Sequence, residues 1–500
     1  MTSSATASVS TRPPRRSRRG DRLLLVVMLV LAHPLVTVVA LAGAVTVVAT
    51  HLWFVLLPVA GLVGLKVVGN VFVPDDPPGR PVEAPDEPEL VDLVRKVAER
   101  LDVHEALTVR IAPDANASMI VTRQGRRRVK TVLIGWPLIR CFSPEQLVAT
   151  LAHEMAHAPE LGDRLWLRLA VTRETLVEKQ GRLLAPPAFV VRPLLRATQK
   201  RLWEAEFDAD ARAAQLAGSE ALREAMRRTE GLVDVWDLLV EDWVDYLADD
   251  DEYPIDLYAA YAAAAGDPHV LARARLRSGA PDPEPLADTH PDWAQRAQAL
   301  PEPLEPVRPD DVRRLVGPVP ARGAVEIRAW EVIEQWCADQ VASAEKDEDW
   351  HPVSLFDRPA TAFTPPADAY RDGLRDGTGS DDLRDGLRRS LTMIADGDAW
   401  ALACAVDAEL NTLPAELGRW VASRLLATVL GGALDVVLRE AGWRPATHWL
   451  TGVLLPPAAD RGATEAAEEA DDVPLDLQAL VVEAVETREV SRLRALLERA

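Results

Sequence analysis

The sequence lacks the features of a nucleic-acid-binding, disulfide-stabilised or nucleotide-binding protein. Its 500 residues carry a net charge of −21, whereas a general nucleic-acid binder needs a basic face. The three cysteines, Cys141, Cys337 and Cys404, lie far apart and match no metal-binding spacing. An odd and sparse set of cysteines gives no disulfide framework, which suits a reducing compartment. There is no internal repeat and no phosphate-binding glycine loop. The negative net charge leads us to expect no nucleic-acid partner.

A second absence is that of charge near the N-terminus, where Leu23 to Leu65 contains no Asp, Glu, Lys or Arg. A basic arm of residues 1–22, with six arginines, precedes this run. One membrane helix needs about 20 apolar residues, so the run is long enough for two. We therefore predict a transmembrane helical hairpin over residues 23–73. A cleaved signal peptide is the alternative, but its apolar core would be too long and a second apolar span follows.

The arginine arm also indicates the topology of the predicted hairpin. By the positive-inside rule the arm stays in the cytoplasm, and two spans return the chain there. A cleaved signal followed by a stop-transfer helix would leave the body inside as well, whereas a single long or re-entrant span would put it outside. We expect a cell-membrane protein that contacts the lipid bilayer through residues 23–73, with its body in the cytoplasm.

The remainder of the chain is predicted to be α+β and mainly α. Residues 74–88, rich in Pro, Asp and Glu, are predicted to be a solvated linker. A folded domain follows over residues 89–300, in which three short β-rich segments predict a small sheet: Leu107–Ile111, Met119–Thr122 and Lys130–Ile134. Residues 161–217 are predicted to be helical, with breaks at Pro186-Pro187 and at Pro193, and 219–248 form another helical stretch. Residues 301–500 are predicted to be acidic and mostly helical, with disordered linkers at 352–379 and 456–472.

The stretch TLAHEMAHAPELGD, Thr150 to Asp163, places two histidines four residues apart. Ser143, Pro144 and Gln146 have the types and spacing of a helix N-terminus with a capping box, and Pro159 ends the helix soon after. At about 100° per residue, His153 and His157 lie about 40° apart, opposite the apolar residues of the helix.

This spacing points to zinc, because two imidazoles at i and i+4 can reach one ion from the same helix. Glu154 is placed to act on a water molecule without being a ligand. The alternative is an ordinary surface helix with two chance histidines. A third ligand would decide between the two interpretations.

The third ligand does not come from the residues that follow directly. The pattern HExxHxxGxxH needs glycine and histidine where Glu160 and Asp163 stand. The best candidate is WEAEFDADARAA, where Glu206 and Asp210 lie one helical turn apart. Glu206 with two histidines makes a three-ligand catalytic set, and Asp210 can accept a hydrogen bond from a ligand histidine. The alternative is a solvated acidic helix face.

HEMAH followed by EFDAD resembles the zinc endopeptidase family that includes HtpX and the CAAX prenyl proteases. Asp114–Ala117 and Thr289-His290-Pro291, with Arg296 behind it, are similar to two further segments of that family. The resemblance implies a zincin-like metallopeptidase domain at residues 89–300 behind a membrane hairpin. The chain departs from HtpX-type members at 164–201, which is too charged for their further membrane spans, and the family gives no account of residues 301–500.

The predicted function is hydrolysis of peptide bonds in a protein or peptide substrate, with a role in membrane-protein quality control or processing. His153, His157 and Glu206 would hold one Zn²⁺ per chain, and Glu154 would be the general base. Asp210 would orient a ligand histidine, while His290 or Arg296 would stabilise the oxyanion. The alternative is a membrane-anchored, non-proteolytic zinc-binding scaffold whose C-terminal helical region binds partners. Glu154 discriminates between them, because a scaffold has no need of it.

Overall fold

The computed structural model describes residues 22, 24–29, 77–124, 127–178, 188–278, 290–301, 307–317, 319–342, 350–363, 367–413, 415–457 and 474–500. The predicted basic arm and membrane hairpin therefore lie outside the described residues, apart from 22 and 24–29, which are helical. Most of the predicted linker at 456–472 lies outside them as well.

The described elements form an α+β fold that is mainly α, as predicted. The strands are β1 (Arg80–Val82), β2 (Leu107–Ala112), β3 (Ala117–Gln124), β4 (Arg127–Gly135), β5 (Glu252–Pro254), β6 (His351–Val353), β7 (Arg444–Pro445), β8 (Val453–Leu455) and β9 (Leu475–Asp476). The helices are α1 (Pro88–Arg100), α2 (Trp136–Cys141), α3 (Pro144–Ala156), α4 (Ala158–Gly162), α5 (Arg164–Glu178), α6 (Ala188–Ala217), α7 (Ser219–Asp249), α8 (Leu257–Ala264), α9 (Pro268–Ser278), α10 (Trp293–Ala299), α11 (Pro309–Val316), α12 (Trp330–Ala342), α13 (Ala367–Thr378), α14 (Leu383–Asp396), α15 (Ala399–Val406), α16 (Ala415–Glu440), α17 (Leu477–Thr487) and α18 (Ser491–Arg499). Short 3₁₀ turns lie at Leu355–Asp357, Ala360–Phe363 and Ala408–Thr412.

The main sheet has four strands in the order β1-β2-β4-β3. Strands β2 and β4 are parallel, and the two outer strands are antiparallel to their neighbours. The three predicted strands are confirmed with slightly wider bounds. The fourth, β1, lies inside the predicted linker, because its backbone pairs with β2 despite a composition typical of loops. Strand β3 is an edge strand of this sheet.

The first hydrophobic core surrounds α3 and does not stop at residue 300. It takes in Trp330 and Ile333 of α12, Leu355, and Trp449. The ring of Trp330 lies 4.6 Å from that of Trp136, between centroids. Described residues after position 300 therefore pack with the body that holds the HEMAH helix, and this body is buttressed by chain that follows the predicted domain.

A second core lies within residues 370–497, around α16. Among the described residues, one helix is long and apolar enough to cross a membrane, Leu417–Glu440 in α16, and 67% of its apolar window is buried inside the protein. A helix that is apolar on all sides is equally typical of a buried core. Its residues Leu426, Leu430 and Leu434 are fully buried in the second core.

Two sequence expectations about helices were wrong. Pro193 does not break the chain but lies inside α6 as its sixth residue, where it removes one backbone hydrogen bond of the helix. The predicted disordered linker at 352–379 contains α13, which buries Tyr370 and Leu374 in the second core. Its glycines and aspartates concealed an amphipathic helix.

A candidate metal centre at the end of the HEMAH helix

Helix α3 forms as its N-terminal residues predict. The Ser143 hydroxyl accepts a hydrogen bond from the Gln146 amide at 3.3 Å, and the Gln146 side chain accepts one from the Ser143 amide at 2.8 Å. This reciprocal capping box satisfies two backbone donors that a helix start would leave unpaired. The helix ends at His157. Arg212 of α6 donates to the Ala156 carbonyl at 2.7 Å and so joins the helix end to α6.

His153, His157 and Glu206 come together, from α3 and α6, as the sequence predicts. His153 Nε2 lies 3.4 Å from His157 Nε2 and 3.4 Å from Glu206 Oε2. His157 Nε2 lies 3.3 Å from Glu206 Oε1. One ligand atom from each of the three residues lies within 4.8 Å of the others, so these side chains could hold one metal ion.

The donor set fits a divalent metal ion. Two ring nitrogens and a carboxylate are the ligands of His₂Glu zinc sites. Glu206 Oε2 is a buried atom that receives no hydrogen bond. The nearest partner that can carry a positive charge is the His290 ring, whose Nδ1 lies 2.8 Å away. A buried carboxylate oxygen without a donor is costly unless a cation compensates it.

A second layer of side chains holds the ring of His153. Asp210 lies one turn after Glu206 on α6, and its Oδ1 is 2.9 Å from His153 Nδ1. Arg296 of α10 donates two hydrogen bonds to the Asp210 carboxylate, at 2.7 and 2.9 Å. Because Nδ1 of His153 contacts Asp210, its Nε2 is left to face His157 and Glu206.

Glu154 and the two residues predicted to stabilise an oxyanion lie around the same point. Glu154 Oε1 is 3.9 Å from His153 Nε2. A terminal nitrogen of Arg296 is 3.2 Å from His153 Nε2 and 3.6 Å from Glu206 Oε2. His290 is 56% exposed and contacts Glu206. All the predicted site residues are therefore brought together, although Arg296 is bound to Asp210 rather than free.

The site has strongly shifted electrostatics. Burial would lower the pKa of His153, but its contacts with Asp210 and Glu206 raise it to about 9. Burial, aided by the neighbouring His153, lowers the pKa of His157 to about 4. Burial raises the pKa of Glu154 above its ordinary value. Burial would also raise the pKa of Glu206, but the rings of His153 and His290 lower it far below the ordinary range.

A cleft of about 390 Å³ opens onto His153 and Glu154. One wall is the start of β3, and the other is α7, whose contribution the sequence did not reveal. Helical periodicity predicted α7, but no local signal tells which element such a helix will face. The lining residues are Asn116, Ala117, Ser118, Thr150, His153, Glu154, Leu222, Ala225, Met226, Thr229, Glu230, His290, Trp293 and Arg296.

The free edge of β3 can be assigned from one hydrogen bond. The Gly135 amide donates to the Asn116 carbonyl at 2.7 Å. In an antiparallel pair only alternate residues bond to the neighbour, so Ser118 and Ile120 direct their backbone groups to β4. Ala117 and Met119 direct theirs to the open edge. The Ala117 amide donates to the Asn116 side chain at 2.8 Å.

Residues 85–304 match the sequence model of Peptidase family M48. The family resemblance inferred from HEMAH and EFDAD is thereby confirmed, and the match supports a metallopeptidase. The matched segment contains every residue of the site, from Asn116 to Arg296. A search of the curated proteins and a search of the solved structures give no match.

Proposed function

We propose that this protein is a zinc-dependent endopeptidase with one Zn²⁺ per chain, held by His153, His157 and Glu206. The observation that carries the proposal is the convergence of these three side chains beside Glu154, with His153 and Glu154 lining an open cleft. When bound, zinc acts as a Lewis acid that polarises a carbonyl and makes water more acidic.

Glu154 is the proposed general base. Its carboxylate adjoins the ligand cluster without being part of it, and burial raises its pKa towards the range in which a carboxylate can both take and return a proton. It takes a proton from the attacking water and passes it to the leaving amine. Cleavage of the peptide bond then gives a new carboxyl end and a new amine.

Asp210 and Arg296 are proposed to position the site. Asp210 holds the ring of His153, and Arg296 neutralises Asp210 through a two-point contact. The terminal nitrogen of Arg296 that donates to Asp210 also lies 3.2 Å from His153 Nε2, where a guanidinium favours developing negative charge. His290, more exposed, is the second candidate for that role.

An extended substrate is proposed to pair with the open edge of β3. Ala117 and Met119 face that edge, and the cleft beside them leads to Glu154. Added-strand binding uses alternate backbone groups. N-methylation of successive residues of a peptide substrate should therefore raise KM about 2–10-fold at alternate positions. A loss that is uniform along the peptide would contradict strand pairing.

Membrane anchoring through residues 23–73, a cytoplasmic catalytic domain and a role in membrane-protein quality control or processing belong to the same proposal. They are supported by the uncharged run after the arginine arm. Protease digestion of oriented membrane vesicles would test the topology. Digestion of residues 74–500 from the extracytoplasmic side alone would contradict it.

A non-proteolytic zinc scaffold is the competing function. The deciding experiment compares full-length protein in detergent with its Glu154→Gln variant, on an unfolded protein substrate with added zinc. We expect cleavage by the wild type, at least a hundredfold slower cleavage by the variant, and equal zinc content. Zinc binding by both proteins with no cleavage by either would support the scaffold.

A further inference from the structure

The helices between the two ligand motifs are basic in an acidic protein. Residues 164–203, which we call the basic hairpin, hold nine Lys or Arg and two Glu, a net charge of +7, whereas the whole chain has −21. The hairpin comprises α5 and the first half of α6. Such a concentration of positive charge indicates an anionic partner. The metal centre itself does not explain it, because its ligands lie outside this segment.

Three cations form a row on α6. Arg192, Arg196 and Lys200 follow one another at a spacing of four residues and are all exposed, with the Lys200 side chain 73% exposed. Residues four apart lie on one helix face. The row borders a groove of about 400 Å³ in which Trp203 and Phe207 lie beside Arg196, Gln199, Lys200 and Glu204. Cations beside aromatic rings are typical of protein surfaces at a bilayer interface.

The basic hairpin also contacts the start of the chain. Leu25 and Met28 pack against Leu169, Leu176 and Val191 in a small separate core. Residues 24–29 open the uncharged run that is long enough for two membrane spans. The hairpin therefore lies beside the point where the chain is proposed to enter the bilayer.

We propose that the face of α6 formed by Arg192, Arg196, Lys200, Trp203 and Phe207 binds the anionic phospholipid surface of the membrane. The cations contact headgroup phosphates, and the aromatic rings lie at the interface between headgroups and acyl chains. Each Lys or Arg close to an anionic leaflet strengthens binding about fivefold.

Glu206 follows Lys200 on the same helix, about 9 Å further along its axis. The metal centre would then lie close to the headgroups.

The test uses the full-length chain in nanodiscs of phosphatidylcholine, alone or with about one-third phosphatidylglycerol. Acetylation of Lys200 by an amine-reactive ester is followed by mass spectrometry, relative to Lys96 in the same molecule. Lys96 lies on α1, outside the basic hairpin. We expect Lys200 to be acetylated at least about fivefold more slowly in the anionic nanodiscs. Arg192→Gln with Arg196→Gln should abolish this protection.

The matched control is the double variant Arg492→Gln, Arg494→Gln, which replaces two exposed arginines of α18. In this variant Lys200 should still be protected from acetylation in the anionic nanodiscs. Equal acetylation in the two lipid compositions would overturn the proposal, since the surface would be bare or covered by the protein's own chain. Protection by inorganic phosphate in neutral nanodiscs would also overturn it, in favour of a soluble anion. Continued protection in the Arg192/Arg196 variant would do the same.

The acetylation assay does not depend on cleavage, so its outcome is independent of the proposed peptidase function.

Discussion

Replacing Asp210 by asparagine should weaken zinc binding without changing any ligand. Three donors converge on the Asp210 carboxylate: Nδ1 of His153 at 2.9 Å and two nitrogens of Arg296 at 2.7 and 2.9 Å. An asparagine side chain has one oxygen and an NH₂ group, so at least one of these contacts becomes donor against donor. Asp210 is 2% exposed, and water cannot replace the lost acceptor.

The size of the effect follows from those contacts. Losing one hydrogen bond between charged groups costs about 1.5–3 kcal/mol. Loss of a carboxylate that orients a ligand histidine lowers metal affinity about 10–100-fold. We expect a fall of that size in zinc affinity, together with a lower free energy of unfolding of the metal-free protein, because the nearly buried Arg296 loses part of its partner.

The assay is competition for zinc with a chromophoric chelator, combined with urea unfolding of the metal-free protein. Asp208→Asn is the matched control, because Asp208 lies on the same helix, carries the same charge and is exposed. Wild-type zinc affinity in Asp210→Asn would refute the positioning role. An equal loss of zinc affinity in Asp208→Asn would show that the effect comes from the lost negative charge alone, acting at long range.

Three further predictions concern the proton balance and the packing. Zinc binding at pH 7.5 should release about one proton per chain, because the ring of His153, with its pKa raised to about 9, must lose a proton before binding. Calorimetry in two buffers of different ionisation enthalpy measures the number of protons released. A release of zero protons would contradict the prediction. Gly135→Ala should lower the free energy of unfolding by about 1–3 kcal/mol, since a Cβ there would lie 2.1 Å from the Asp114 carbonyl oxygen. Gly162 has open space around it, so Gly162→Ala should change the free energy of unfolding in urea little. Equal effects of the two substitutions would refute the reasoning. Arg273→Gln should lower the free energy of unfolding in urea by about 3–5 kcal/mol, because Arg273 is 2% exposed and makes a two-point contact with Asp476 at 2.6 and 3.0 Å. A loss no larger than that from replacing the exposed Arg275 would contradict this prediction.

The local parts of the site could be predicted from the sequence because their signals are local. Ser143, Pro144 and Gln146 specify the start of α3, and the four-residue spacing of the histidines places both rings on one face. The pairing of α3 with α6 could be inferred only through the family resemblance. Helical periodicity alone does not identify a partner helix across 50 residues.

Other features depend on tertiary contacts that no local pattern encodes. Strand β1 forms in a proline-rich segment because β2 offers an unpaired edge. The ion pair between Arg296 and Asp210 joins residues 86 positions apart. Tyr370 and Leu374 make α13 a core helix although its sequence resembles a linker. In each case the deciding partner is distant in the chain.

The first core has a consequence for how the protein is made. It joins the HEMAH helix to Trp449, Leu450 and Val453, about 290 residues further along the chain. A ribosome adding about 5–20 residues per second needs roughly 15–60 s to cover that distance. From Ala217 onwards, which is most of this interval, both ligand helices have already been synthesised, while part of the packing around them has not. The packing around the ligand helices is therefore completed only once the chain has been synthesised as far as Val453.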